Sequence, residues 1–327
     1  MRRRDFIAGV VGLAAARPCT VRAQQPSMPV IGFLNPTSVE SNADRLRGFH
    51  SGLNEAGYIE GENVIVIYRW AEGHNDRLRS LADDLVRRRV SVLTAFTPAA
   101  AFAAKAATPT IPIVFGVNED PVRLGLVASL SRPGGNATGI NFLTAEVAAK
   151  RLALLRELIP TAARAALLVN PANATSMEST LSDVTSAAHV MGLQIKVVNA
   201  ATSNEINAAF ATLATEKVDV LLVAGDAFYS SRRVQLVHLA THYGIPATYS
   251  QREFTDVGGL MSYGPNFADV FRQVGSYVGR LLKGAKPTEL PVMQSSKFEF
   301  VINAETARLF GVTVPPKLLA AADEVIE

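Results

Sequence analysis

The sequence predicts an α/β protein built as two doubly wound lobes in tandem, each a parallel sheet covered by helices. Three observations carry this. From Val30 onward, short apolar runs alternate with amphipathic stretches in a β-then-α rhythm, the pattern of parallel strands buried on both faces. The rhythm breaks once, at the Gly/Pro-rich stretch RPGGNATG over residues 132–139, and then starts again. Finally, 327 residues of which 48% are hydrophobic and only 19% charged supply enough apolar surface for two cores, and they exclude a mainly disordered chain.

The elements follow in order. Residues 30–34 read as the first strand, and Leu46, Phe49 and Leu53 place a helix that Gly57 stops. A strand over 63–70, a helix striped by Leu78, Leu81 and Leu85, and a strand over 92–96 come next. Thr97-Pro98 opens an Ala-rich helix with a hydroxyl at the cap and proline in the first turn, where the missing N–H costs nothing. A strand over 111–117 leads to Asp120-Pro121, which repeats the device. The second series has strands over 165–169, 193–198, 218–224 and 245–249. After Gly258-Gly259 come a short strand at 260–263, a helix through Phe271, Val274, Val278 and Leu281, a strand at 298–302, and helices bearing Leu309 and Leu318-Leu319. A chain that returns to the first lobe near Leu260 and leaves it again near Lys286 gives lobe 1 residues 28–141 and 259–285, lobe 2 residues 142–258 and 286–327, and three linking segments that act as a hinge.

The first 23 residues stand apart. They hold five arginines and one aspartate, so without them the formal charge falls from +3 to −1 and no basic stripe remains for nucleic acid. Their basic start, short apolar stretch over 7–16 and Val21-Arg22-Ala23 predict a secretory signal cleaved after Ala23, and Arg3-Arg4-Asp5-Phe6-Ile7 is similar to a twin-arginine export motif. About ten apolar residues are too few for a bilayer that needs about 20. The expected compartment is the periplasm. Cys19, the one cysteine, leaves with the signal, which removes disulfides, thiolate catalysis and cysteine metal sites from the mature chain.

In open parallel sheets ligands sit beyond the carboxyl ends of the strands, where helix N-termini present free N–H groups. The candidates are therefore the strand-end residues: Asn35, Pro36 and Thr37, then Thr97, then Asn118 and Asp120 in the first series, and Asn170, Asn173, Asp226 and Tyr249 in the second. Facing one another across a cleft, they would bring hydrogen-bonding groups and two carboxylates to one small molecule. Thr, Asn and Asp at such places are also ordinary helix caps, so each residue admits both readings. Asp226 stands out because Gly225 precedes it and Phe228-Tyr229 follow, joining charge and aromatic surface in one loop. Nothing points to chemistry: there is no GxGxxG after the first strand, no GxxxxGK[ST] and no GxSxG. His238 and His242 share a helical face but lack the intervening glutamate of a zinc protease, so neither a metal nor another cofactor is expected.

Four long runs carry a resemblance: FHSGLNEAGYIEGENVIVIYRWAEG (49–73), ATPTIPIVFGVNEDPVRLGLVASLSRPGGNATGI (107–140), GGLMSYGPN (258–266) and FEFVINAETARLFGVTVPPKLLAAADEVIE (298–327). In that order they resemble the ABC transporter substrate-binding proteins related to tryptophan- and tyrosine-binding members. The resemblance implies the type I periplasmic-binding-protein fold, two Rossmann-like lobes joined by a three-segment hinge, and a monomer that presents ligand to an ABC permease and its ATPase at the inner membrane. It implies an aromatic amino acid or related carboxylate held between the lobes, with Asp226 or Asp120 on the ammonium, Thr97 and helix N-termini on the carboxylate, and Phe228, Tyr249 and Tyr263 flanking the ring. Two other functions fit the same architecture: an exported α/β enzyme, and a ligand-sensing subunit that presents its closed form to a membrane receptor.

Overall fold

A computed structural model describes residues 28–142 and 145–327. The expected signal sequence, its cleavage after Ala23 and Cys19 lie outside the described residues.

The first lobe begins with β1 (Val30–Asn35), α1 (Ala43–Glu55), β2 (Ile65–Trp70), α2 (Leu78–Arg87), β3 (Val92–Phe96), α3 (Pro98–Ala107), β4 (Ile113–Val117) and β5 (Ala137–Asn141). The chain then builds the second lobe from α4 (Ala145–Leu158), β6 (Arg164–Val169), α5 (Ala174–Met191), β7 (Gln194–Asn199), α6 (Ser203–Thr215), β8 (Val220–Val223), α7 (Ala227–Ser231), α8 (Arg233–His242), β9 (Ala247–Tyr249), α9 (Arg252–Thr255) and β10 (Met261–Pro265). It returns with α10 (Phe267–Leu282) and β11 (Met293–Gln294), and finishes with β12 (Phe298–Asn303), α11 (Ala304–Leu309), α12 (Pro316–Ala321) and β13 (Glu324–Ile326).

The first sheet has the order β11-β5-β4-β3-β1-β2 and is parallel throughout. The second runs β13-β12-β10-β9-β8-β6-β7, with β10 and β12 its antiparallel pair. Central strands such as β3 and β4 are buried at every position, because helices cover both faces, and that is why they read as continuous apolar runs. Phe33, Phe49, Phe96 and Phe271 pack on one face of the first sheet, and Leu85, Leu93 and Phe115 on the other. In the second lobe Leu167, Phe210, Leu221 and Tyr229 belong to one continuous core.

α10 follows the second sheet in sequence but packs on α1 in the first lobe, and glycines permit the contact. A Cβ on Gly52 would lie 1.9 Å from the Arg272 carbonyl oxygen, and one on Gly275 2.2 Å from that of Phe49. Backbone thus meets backbone where any side chain would hold the helices apart.

Several expectations need correction. Because β10 pairs with both β9 and β12, the chain stays in the second sheet through Pro265 and returns at Asn266, not near Leu260. It does not leave again near Lys286: Leu290 and Val292 join the first-lobe core and β11 pairs with β5, so the last crossing lies between Gln294 and Phe298. The 132–139 stretch is not all loop, since β5 starts at Ala137. Asp120-Pro121 opens no helix; the Asp120 carboxylate accepts from the N–H groups of Val122 and Arg123 and closes a turn. The crossings are tied to one another, Ser295 N–H donating to Asn141 O at 2.8 Å and Asn266 N–H to Lys297 O at 2.9 Å.

Candidate functional site

The carboxyl ends of both sheets face the hinge, and their loops meet between the lobes. On the first-lobe side, Asn35 accepts from the N–H and hydroxyl of Thr37 at 3.0 and 2.8 Å, and Asn42 donates to the Thr37 hydroxyl, so this turn is internally satisfied. Pro36, buried beside it, accepts from Gly73 N–H. Thr97 behaves differently. It precedes α3 at φ +81° without capping the helix through its side chain, and its hydroxyl is buried with no hydrogen-bond partner. A non-glycine residue at positive φ stores about 1 kcal/mol or more, which is tolerated where position matters more than stability.

After β4 come Asn118 and Glu119. Asn141, at the end of β5, donates to the carbonyls of Val117 and Glu119 at 3.1 and 2.7 Å, which pins this loop to the first crossing segment. Both carboxylate oxygens of Glu119 are closed to solvent, and neither has a hydrogen-bond partner at bonding distance. Burial pushes its pKa up to about 7; its own N–H and the nearby Asn118 and Ser176 side chains oppose this, and the charge of Asp226 adds to it. Ser176 and Asp226 belong to the second lobe, so the two lobes meet over Glu119.

On the second-lobe side Asp226 caps α7, accepting from Phe228 N–H at 2.9 Å. Its two oxygens also take hydrogen bonds from the side-chain amides of Asn170 (3.0 Å) and Asn173 (2.9 Å). The capping reading therefore holds for Asp226, and the amides fix its carboxylate, whose charge acts on Glu119 of the first lobe. Phe228 is half-buried beside it, under the Arg232 guanidinium. Beneath the loop, Arg151 of α4 is 1% exposed and donates to Val223 O at the end of β8. Among the described residues no carboxylate pairs with it, and burial lowers its pKa to about 10.

The structure thus brings Asn118, Asn170 and Asp226 to the interlobe face, keeps Thr97 at the carboxyl end of β3, and leaves three expected contacts elsewhere. Asp120 is occupied by its own turn. Tyr249 is 1% exposed and stacks on Phe254 at 4.5 Å inside the second-lobe core. Tyr263, on the interior strand β10, stacks on Phe298 of β12 and feels Asp323, so its ring is engaged with the chain-terminal segment of that sheet. Glu119 is masked in the sequence because its neighbours Asn118 and Asp120 resemble caps; its one signal is its place, two residues beyond a buried strand. Arg45 is missed too. From α1 it reaches the second lobe, bonding Gln251 at 2.7 Å and Glu253 at 2.9 Å while lying 4.4 Å over the Phe267 ring. Two surface hollows, beside Arg164 and Glu216 and beside Arg156 and Met191, lie away from this face.

The comparisons with known proteins agree with this fold. The model of the ABC transporter substrate binding protein family matches residues 30–326. A tyrosine-binding protein of Clostridioides difficile (strain R20291) is 26% identical over 315 residues, covering 93% of this chain and 90% of that one. Among solved structures, a conserved domain protein from Vibrio cholerae superposes with a TM-score of 0.83 at 27% identity, over 91% of this chain and 99% of that one. A domain from Streptococcus pneumonia in complex with L-Trp gives 0.82 at 27% identity, over 92% and 100%.

Proposed function

The chain belongs to the ABC transporter substrate-binding protein family, and from that premise we propose that it works in the periplasm as a monomer, taking an aromatic amino acid or related carboxylate between its lobes and passing it to a permease and its ATPase without catalysis. The observation that carries this reading is the meeting of the two strand-end faces over Glu119, with Asp226 held opposite by Asn170 and Asn173. Polar groups from two separate sheets converge there, and groups shared between lobes reward only the closed arrangement.

The physical mechanism is a population shift. Moving a 1:99 closed-to-open mixture to 99:1 requires the ligand to favour the closed state by about 5.5 kcal/mol, within reach of a few buried charge-assisted bonds. Thr97 and the first turn of α3 offer donors to a carboxylate, Asp226 accepts from an ammonium, and Phe228 supplies the apolar face beside it. The relatives that bind tyrosine and L-Trp support this ligand class. Among the described residues no helix is long and apolar enough to cross a membrane, and no group of three or more His, Cys, Asp or Glu is placed to hold a metal ion.

The test is a thermal-shift screen of the mature protein against amino acids, aromatic acids and other small carboxylates, followed by small-angle X-ray scattering of any hit. A ligand at 100 times its dissociation constant adds about 2.7 kcal/mol of stability. The expected result is a raised Tm with a more compact scattering profile. Turnover of a compound in place of stable capture overturns the reading.

A further inference from the structure

The two carboxylates between the lobes are not equivalent. Asp226 has its charge met by two amides, a backbone N–H and the start of a helix. Glu119 has both oxygens shut from solvent and, among the described residues, no hydrogen bond of good geometry, its own N–H and the Asn118 and Ser176 side chains lying near without meeting its charge as fully. Among the described residues no lysine or arginine forms an ion pair with either. The cations nearby are engaged elsewhere: Arg45 on Glu253 and Gln251, Arg151 on Val223 O, and Arg232 over the Phe228 ring.

Closing the lobes therefore moves like charges together where water no longer screens them. An ionised carboxylate buried without a partner costs several kcal/mol, and a counter-charge removes that cost. We infer that Glu119 is a specificity-determining residue of the cleft, selecting ligands that carry a protonated nitrogen, an ammonium, amidinium or guanidinium group, which it receives together with Asp226 as the lobes close. The inference rests on the reading of the cleft as the ligand site and adds the chemistry that the site demands. With a cation between the carboxylates, repulsion across the cleft becomes attraction from both sides. A ligand that brings only a carboxylate meets two negative charges instead.

The test uses matched probes that share one skeleton: L-tyrosine, tyramine and 3-(4-hydroxyphenyl)propanoate, with L-tryptophan, tryptamine and indole-3-propanoate as a second series and L-arginine and agmatine as a third. Calorimetry is run on the mature wild type and on Glu119→Gln, which keeps shape and volume, with circular dichroism to check its fold. Nitrogen-bearing probes are expected to bind the wild type and to lose about 10- to 100-fold in affinity in Glu119→Gln. Tight binding of the acids that lack the nitrogen, or equal affinity in the variant, overturns the inference and leaves ligand capture standing. Should no probe bind, scattering of the two ligand-free proteins at pH 8 decides: a more compact Glu119→Gln supports the repulsion, and matching profiles overturn it. Should Glu119→Gln not fold, Glu119→Ala is compared in its place, with the same outcomes.

Discussion

Thr97 is held at φ +81° against the preference of its own side chain, and that side chain caps nothing in return. Glycine would occupy that backbone without strain. Thr97→Gly is therefore expected to gain about 1 kcal/mol of stability, raising Tm by about 2–4 °C, while weakening ligand binding through loss of the hydroxyl; calorimetry and thermal unfolding measure both. Thr97→Ser keeps the hydroxyl and is expected to keep the affinity. Glu119 offers a second residue-scale test, through pH. Its folded pKa of about 7 exceeds the ordinary glutamate value of 4.5, so between those limits the folded chain holds a proton that the unfolded chain has released. Stability contributed by this group thus falls as pH rises from about 4.5 to 7 and is level above. Denaturant unfolding should show wild type losing up to about 2–3 kcal/mol relative to Glu119→Gln between pH 4.5 and 8, with Asn118, Ser176 and Asp226 as the groups facing it. These residues also mark the limit of sequence reading. Asp226 and Thr97 belong to the same class of cap-like strand-end residue, yet one spends its side chain on the backbone and the other does not. Which one does so depends on φ and burial, and neither is written in residue type.

At the scale of elements, periodicity locates most strands of both sheets and the long α10, because each is long enough to show its buried stripe, but it misses β5, β11 and β13. It failed where an element is short or defined only by pairing. The two residues of β11 are a strand solely because β5 lies beside them. In β5, Gly139 breaks the apolar pattern because it passes so close to β4 that a Cβ would fall 2.1 Å from the Phe115 carbonyl oxygen. The crossing points were misplaced for the same reason, since only hydrogen bonding assigns β10 to the second sheet. Asp120-Pro121 failed as a helix start although it matches Thr97-Pro98, because the chain turns at once and reaches Gly125 at φ +68°. The contact of α1 with α10 yields a prediction of its own. Gly52→Ala puts a methyl group 1.9 Å from the Arg272 carbonyl oxygen, backbone that cannot swing aside. The helices must separate, at a cost of about 2 kcal/mol or more, visible as a lower denaturant midpoint. Ligand affinity should hold, because the strain lies far from the strand ends; a variant of unchanged stability would refute the close packing.

Across the whole molecule, affinity depends on how the lobes meet as well as on what touches the ligand. Arg45 is the clearest interlobe bond outside the cleft: its guanidinium is clamped between the Phe267 ring, at the start of the returning helix, and the acceptors of Gln251 and Glu253 in the second lobe. Burial raises the cost of the Glu253 charge, but Arg45 outweighs this and holds the carboxyl below its ordinary range. Ser230 donates to the same Gln251 oxygen, which links the bridge to α7 and so to the loop that carries Asp226. Arg45→Ala takes the main counter-charge from a mostly buried carboxylate and leaves only Arg233 and a backbone N–H to stabilise it, a loss of about 2 kcal/mol or more for a buried charge pair. Opening the lobes hydrates that carboxylate, so the penalty falls mainly on the closed state and the population moves toward open. The expected outcome is a larger radius of gyration for the ligand-free variant and a weaker ligand, by about 10-fold or more, although Arg45 is bound to other groups and touches no ligand. Lysine should not restore it, since one ammonium cannot both stack on Phe267 and serve two acceptors. Unchanged scattering together with unchanged affinity would mean that the bridge survives in the open form and plays no part in closure.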